Sequence, residues 1–572
     1  MKYSVHFIFE GRTVEVEAGT TLLQAQIASG LPADAPCGGK GTCRKCMVAY
    51  RAPGQTGWTR ALACRTRVEG DLEVKLPGAD ESLKVMTEGV SAAATHASGA
   101  PMARAVRVTV PPCARGDSTS DWSRLCLALD EALEHRDWIP DMDALRGLGA
   151  LLSRTKGDVW AVVCDGYVLE VRADEPRVLM AAFDLGTTSI AGYLVDARDS
   201  RVLVTGGMRN PQAQYGGDVI SRADYALANG TREISACARK AIDGLCRHMC
   251  LEADLDWRQV YAVLVAGNTA MHHLFLGISP DSLVHAPYNP TLSGPMNLPA
   301  RDYGLGAHPA ARLFTLPVVG GFVGADTVAC LICGDWLNRE RLTLMIDIGT
   351  NGELVMGNRH RRLACSTAAG PALEGAKISC GMRGADGAID HVWIEDGALR
   401  WHVIGEGAAR GICGSGLVDL VAMLLETGEL DESGRLEGGQ YAIGDTGLAL
   451  TQKDVREVQL AKAAIAAGVR LLAKKLGIAL ETIEEVDIAG AFGNYIDPDN
   501  ACAIGLIPQE LRPKIVPVGN AAGEGARLAL SDAAAWASAE AIARTTEFLE
   551  LATMAEFQDE FVEQLSFGEE DE

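Results

Sequence analysis

At 572 residues the chain is long enough for roughly three to four domains of about 150 residues each, which excludes a disulfide-stapled miniprotein. Hydrophobic residues make up 48% and charged residues 22%, and no apolar run reaches the ~20 residues of a membrane span, so a soluble protein is expected and a membrane protein excluded. Lys and Arg number 52 against 75 Asp and Glu, a net charge of −23 that repels a polyphosphate backbone and argues against a nucleic-acid partner.

Residues 1–78 come first as a candidate domain. Its opening alternates apolar and polar residues where a signal peptide needs an unbroken apolar stretch, so a cytoplasmic location is expected. There, sixteen cysteines point to metal or buried thiols rather than disulfides. Strands are predicted over 3–10 and 12–17, meeting at a Gly11 turn, then a short helix over 21–29. A glycine- and cysteine-rich loop is predicted up to Cys64, then a strand over 72–76. In that loop Cys37, Cys43 and Cys46 stand at C-x5-C-x2-C, and Cys64 follows after 17 residues. Four thiolates meet the need of a [2Fe-2S] rhomb, in which each iron takes two protein sulfurs. Gly38, Gly39 and Gly41 let the loop bend and aim N–H groups at the cluster. The alternative, a four-cysteine zinc site, usually pairs two C-x2-C knuckles, and only one is present.

Residues 79–104 lack apolar periodicity and are rich in Ala, Ser and Gly, the composition of a flexible linker. Over 105–178 the pattern of strand, a helix over 122–135 and two more strands makes a small α/β unit of no legible chemistry. From 179 to 572 the pattern repeats itself: an apolar strand ending in Asp-x-Gly-Thr at Asp184 returns at Asp347, 163 residues on (347 − 184), which implies a duplicated fold around a cleft. The last thirty residues have a helical pattern and end in a charged tail.

The repeated turns carry the chemistry. Gly186, Thr187 and Thr188 follow Asp184, and Gly349, Thr350, Asn351, Gly352 and Glu353 follow Asp347. Each glycine admits a phosphate, each threonine offers a hydroxyl and an N–H, and Asp184 and Asp347 can hold Mg²⁺ through water. A third run, Gly490, Ala491, Phe492, Gly493 and Asn494 after an apolar strand, offers a flat seat for adenosine. Asp326 is a candidate Mg²⁺ or water-positioning group, and Gly414, Ser415 and Gly416 read as a close-approach loop at the cleft, as does the run 369–375. No G-x-x-x-x-G-K-[ST] motif occurs, so a P-loop is excluded. His272 and His273, at a helix start, read as capping or core residues. The thiol pairs Cys246/Cys250 and Cys330/Cys333 read as buried, neither having a matching second pair.

The cysteine loop resembles the β-grasp [2Fe-2S] ferredoxins, with five residues between its first two cysteines where the plant type has four. The three nucleotide motifs resemble the superfamily of acetate and sugar kinases, heat-shock chaperone ATPases and actin, whose two RNase H-like halves close on ATP. Taken along the whole chain, with the runs at 266–274, 412–419 and 488–497 and the tail helix, the sequence resembles the reductive activators of corrinoid proteins. The fold class so implied is α/β multidomain, with ferredoxin domain, middle domain and duplicated ATPase. The resemblance implies Cys37, Cys43, Cys46 and Cys64 as cluster ligands and 184–188, 347–353 and 490–494 as nucleotide motifs. The implied activity is ATP-dependent, one-electron reduction of a Co(II) corrinoid protein of a methyltransferase system to Co(I), fed by a cellular electron donor, with a homodimer as a further expectation. Two other readings stand beside it, a dehydratase activator sharing a [4Fe-4S] cluster between subunits and an ATP-binding redox sensor or scaffold without turnover. The first does not need the N-terminal ferredoxin that this chain has.

Overall fold

The computed structural model describes the chain except residues 1, 9–11, 32, 34, 36–37, 42–45, 56, 77–98, 115, 134, 494 and 568–572, and only the backbone at 491 and 492. Strands β1 (Lys2–Phe7) and β2 (Arg12–Glu17) pair antiparallel with Val5 opposite Val14, which turns Val5, Phe7 and Val16 inward. Helix α1 (Leu22–Ala28) starts at a capping box: the Thr21 hydroxyl accepts from Gln24 N–H and the Gln24 side chain accepts from Thr21 N–H. Strands β3 (Met47–Arg51), β4 (Thr59–Leu62) and β5 (Leu72–Lys75) complete a five-stranded sheet in the order β2-β1-β5-β3-β4. The stretch expected to be loop up to Cys64 therefore contains a hairpin. Its strands are five and four residues long and set among glycines and cysteines, too short for alternation to stand out. The Gly11 turn lies outside the described residues.

Strand β6 (Ala103–Thr109), helix α2 (Asp121–Leu133), β7 (Ile139–Pro140), α3 (Met142–Arg146), α4 (Leu148–Thr155), β8 (Asp158–Cys164) and β9 (Tyr167–Arg172) form a second unit around the sheet β6-β8-β9-β7. One face packs Val159 and Val163 against Leu125, Leu129 and Leu152 of the helices. The other face, with Ala103, Val162, Cys164 and Leu169, runs without a break into the core of the next unit. Residues 79–98 of the expected linker lie outside the described set, apart from which 99–104 are held fast. Gly99 N–H donates to Asp532 Oδ2 (2.9 Å), Met102 N–H to the Leu530 carbonyl (2.9 Å), and Ala533 N–H to the Ala100 carbonyl (2.9 Å).

The first lobe of the large unit comprises β10 (Leu179–Leu185), β11 (Ser189–Asp196), β12 (Val202–Arg209), α5 (Val219–Asn229), α6 (Arg232–Glu252), β13 (Val260–Ala266), α7 (Thr269–Leu276), α8 (Asp281–Val284), β14 (Met296–Pro299) and β15 (Arg312–Thr315). Helix α9 (Ala325–Cys333) leads to the second lobe. There β16 (Thr343–Ile348), β17 (Gly352–Gly357) and β18 (Arg362–Thr367) precede a side sheet, β19 (Ala388–Glu395), β20 (Ala398–Val403) and β21 (Gly411–Ile412). Helix α10 (Gly414–Thr427), hairpin β22 (Gln440–Ala442) and β23 (Ala449–Thr451), and helix α11 (Gln452–Leu476) follow. The lobe closes with β24 (Glu485–Ala489), α12 (Gly490–Gly493), α13 (Pro498–Ala503), β25 (Ile515–Gly519), α14 (Ala521–Ser531), α15 (Ala533–Thr545), β26 (Thr546–Phe548) and α16 (Ala555–Glu563).

The two sheets run β12-β11-β10-β13-β15-β14 and β25-β24-β16-β17-β18-β26. Read from the third strand of each, β12-β11-β10-β13-β15 matches β18-β17-β16-β24-β25: two antiparallel pairings, then two parallel ones. This is the expected duplication. β10 and β16 lie mid-sheet with both faces covered, and so read as unbroken apolar runs rather than alternations. The expectation of helix throughout the last thirty residues is corrected by β26, which pairs parallel to β18 because Thr546 and Phe548 extend an otherwise open sheet edge. Helix α14 leaves the second lobe yet packs on β10, β11 and β13 of the first, crossing α9 so closely that a Cβ on Gly525 would sit 1.8 Å from the Ala329 carbonyl oxygen. Among the described residues no helix is long and apolar enough to cross a membrane.

Candidate functional site

The two Gly-Thr turns close the β10–β11 and β16–β17 hairpins and meet across the cleft, Thr188 Oγ1 lying 3.4 Å from Thr350 Oγ1. Each is braced from behind. Asn210 donates to the Gly186 carbonyl (2.7 Å), and the buried Arg222 of α5 donates to the carbonyls of Thr187 (2.5 Å) and Gly216 (2.9 Å). In the second turn Gly349 N–H donates to the Asn351 carbonyl (3.0 Å), and Gly352 is packed so tightly that a Cβ would stand 2.7 Å from Thr367 Oγ1. The glycine is thus required by close approach.

Asp184, Asp347, Asp326 and Glu353 converge beneath these turns. Burial and then the Asp347 carboxylate push Asp184 up to about 7, against the opposing hydrogen bond from Asn520. Asp326, on the first turn of α9, is pushed up to about 8 by burial, then by Asp347, with Asp184 adding to it. Burial and Glu374 raise Asp347 to about 6. Glu353 is held well above the carboxylate range by burial and by Asp326 and Asp347, while Asn351 and Ser366 hydrogen-bond to it. Asp347 thus raises each of the other three, a crowding of negative charge, although among the described residues no group of three or more such side chains is arranged to hold a metal ion directly. Two helix N-caps reach into the group. Asn268 accepts from Ala270 N–H and extends Nδ2 toward Glu353 Oε1 (3.4 Å), and Asn520 accepts from Gly523 N–H while bonding to Asp184.

Gly490, in the left-handed region at φ 89°, stands so near Asp347 that a Cβ would lie 2.8 Å from Oδ1. Gly493 is packed on Ile488, and Asn494 and the side chains of Ala491 and Phe492 fall outside the described residues. Gly414, Ser415 and Gly416, expected at the cleft, have a packing role. The Ser415 hydroxyl is spent on the Asp390 carbonyl (2.8 Å), and a Cβ on Gly416 would meet the Ile389 carbonyl at 2.5 Å, so the small residues seat α10 on β19. His272 and His273 are core residues, as expected, and Cys246, Cys250 and Cys330 are buried thiols, with Cys330 Sγ 4.0 Å from Asp347 Oδ2. Sequence reasoning missed Asn520 and Arg222, and singled out Glu374 only within the run 369–375 at the cleft. Glu374 Oε2 accepts from both Thr188 Oγ1 (2.8 Å) and Thr350 Oγ1 (3.2 Å). Only Asn520 had a local signal, a Gly-Asn pair after an apolar strand like Gly267-Asn268.

In the N-terminal domain the β3–β4 ladder ends at Met47 opposite Leu62, and Ala63 N–H donates to the Cys46 carbonyl (2.7 Å). Cys46 and Cys64 thereby share one end of the sheet, both buried, while Cys37 and Cys43 lie outside the described residues. Gly38, Gly39 and Gly41 all have positive φ (60°, 79° and 76°), and a Cβ on Gly39 would stand 3.8 Å from Cys64 Cβ. A loop bent by glycines around two inward thiols fits a cluster cradle.

Family models match along most of the chain. One described as a 2Fe-2S iron-sulfur cluster binding domain covers residues 2–77, one described as the RACo middle region covers 179–337, and one described as the C-terminal domain of RACo, the ASKHA domain, covers 341–572. The corrinoid activation enzyme RamQ of Eubacterium limosum is 33% identical over 574 aligned residues, spanning 94% of this chain and 95% of that protein. The chain belongs to the reductive activators of corrinoid proteins. A solved member of that family, a reductive activator for a corrinoid, iron-sulfur protein, matches with a TM-score of 0.75 at 32% identity over 100% of this chain and 99% of that one. A further relative, the Co(II) methylated amine-specific corrinoid protein reductase of Methanosarcina barkeri, is 30% identical over 427 residues, 68% of this chain and 76% of that protein. What the family models name the middle region is, in this activator, the first lobe of the duplicated ATPase.

Proposed function

We propose that this activator hydrolyses ATP to return the inactive Co(II) corrinoid protein of a methyltransferase system to Co(I), one electron at a time. The observation that carries the reading is the meeting of two Gly-Thr turns from separate lobes over a carboxylate group, in a chain that also has a ferredoxin cysteine loop. A [2Fe-2S] cluster, when held by Cys37, Cys43, Cys46 and Cys64, supplies one-electron chemistry. Asp184 and Asp347, with Asp326 beside them, would meet Mg²⁺ through water. Gly186, Thr187, Thr188, Gly349, Thr350 and Asn351 give N–H and hydroxyl donors to the phosphates, and 490–494 borders the adenosine. Nucleotide bridging both turns favours the closed lobes; taking such closure from 1:99 to 99:1 needs about 5.5 kcal/mol of differential binding. A cellular one-electron donor completes the reading.

The test mixes reduced protein anaerobically with a Co(II) corrinoid protein and follows loss of the Co(II) EPR signal. Loss that requires ATP, and that Asp347→Ala abolishes while iron content is kept, supports the proposal. Reduction at the same rate without nucleotide refutes it. Light scattering of the same preparation checks the homodimer expectation.

A further inference from the structure

Glu374 has a carboxylate for which phosphate and metal binding leave no task. It ends the 3-10 turn Pro371–Glu374 between Gly370 (φ 74°) and Gly375 (φ 72°), and a Cβ on Gly375 would lie 2.2 Å from the Met382 carbonyl oxygen, so the turn is fixed from below. From there Oε2 takes hydrogen bonds from two hydroxyls belonging to different lobes, Thr188 at 2.8 Å and Thr350 at 3.2 Å. A phosphoryl oxygen would take the same pair. The carboxylate therefore stands where the threonines would hold phosphate. Its charge also reaches Asp347, which places it beside the four carboxylates without making it one of their number.

We propose that Glu374 is the catalytic base of ATP hydrolysis: once the phosphates take over the Thr188 and Thr350 hydroxyls, its freed carboxylate holds the attacking water against the terminal phosphate. The proposal rests on the functional reading above and deepens it. The water oxygen forms a bond to the γ-phosphorus as the bond from that phosphorus to the bridging oxygen breaks, and ADP leaves with the electron pair. The water proton passes to Glu374 and from there to solvent, leaving inorganic phosphate. No group is oxidised or reduced. A base so placed contributes roughly 10²- to 10⁴-fold in rate.

The competing explanation is a passive clasp between the lobes, and Glu374→Gln separates the two. Glutamine keeps an acceptor oxygen on the same stem, so it can still receive both threonine hydroxyls, but it takes no proton at neutral pH. In the full-length holoprotein with Mg²⁺, E374Q is expected to bind a fluorescent ATP analogue within about threefold of wild type while kcat falls about 10²- to 10⁴-fold. Rapid filtration and acid quench should then recover bound ATP from E374Q where wild type yields ADP. Wild-type turnover by E374Q overturns the proposal, as does loss of nucleotide binding in step with turnover. If wild type hydrolyses ATP and E374Q does not, yet no Co(II) corrinoid is reduced, the functional reading fails and this one stands. A wild type without any ATPase activity overturns both.

Discussion

Asp326→Asn is expected to make the nucleotide-free protein more stable while removing its response to Mg²⁺. Asp326 is raised from 3.8 to about 8, by burial first and then by Asp347 and Asp184. A carboxyl raised in the folded state binds its proton more tightly there than when unfolded, so the folded chain loses stability as pH climbs from about 4 toward 8 and suffers no such loss below that window. At 1.36 kcal/mol per pH unit the loss at pH 7 is about 4 kcal/mol, an upper figure because the neighbouring carboxylates raise one another. Asparagine removes the titration and keeps an oxygen to accept from Thr327 N–H, the bond Oδ1 makes at 2.8 Å. The assay is thermal melting from pH 5 to 8, in EDTA and again with Mg²⁺ and a non-hydrolysable ATP analogue. At about 2–4 °C per kcal/mol for units of 150–250 residues, D326N should melt several degrees above wild type in EDTA at pH 7, with the gap closing toward pH 5. Magnesium nucleotide should reverse the order. A variant melting at or below wild type across the whole range in EDTA would show that carboxylate crowding is not what strains the cleft.

Cys64→Ser should lower iron well below two atoms per chain and abolish the EPR signal of the reduced cluster, leaving ATPase activity intact; retention of the full signal would remove Cys64 from the ligand set. Gly525→Val places a side chain where even a Cβ meets the Ala329 carbonyl at 1.8 Å, so chemical denaturation should show a loss of at least 2–3 kcal/mol and weaker ATP binding, whereas unchanged curves would contradict the tight α9–α14 crossing. His272 is buried, pushed down to about 3 by burial and by His273, and both its ring nitrogens lack a partner among the described residues. A base depressed below its unfolded value costs stability as pH falls through 6.5. His272→Leu should therefore gain about 1–3 kcal/mol at pH 7 and widen its lead toward pH 4, and equal acid sensitivity in the two proteins would argue against the orphaned ring.

The Gly-Thr turns could be read because their motif is local: strand, carboxylate, glycine and hydroxyl fall within five residues, twice. The duplication followed from the same fact, and the sheet orders bear it out. Arg222 could not be read, since it acts on a turn 35 residues away, and Glu374, whose run was read only as bordering the cleft, meets Thr188 across 186 residues. Small residues gave an ambiguous signal. At Gly490 close approach means the Asp347 carboxylate, at Gly416 it means a strand carbonyl, and composition alone does not distinguish them. The β3–β4 hairpin escaped notice for the opposite reason, its strands being only five and four residues long between flanking cysteines and glycines.

Helix α14 joins two places that function treats as separate. Its first residue follows Asn520, which holds Asp184; its last turn offers the Leu530 carbonyl to Met102, and Asp532 just beyond it holds Gly99. Eleven residues at 1.5 Å each make a rod of about 16 Å, with one tip on the phosphate machinery and the other at the root of the segment that leads back to the ferredoxin domain. The rod is seated by a backbone-to-backbone contact at Gly525, where compressible side chains are missing. Asn520, which bonds to Asp184, and the groups that hold Gly99 and Met102 therefore stand at opposite ends of one helix.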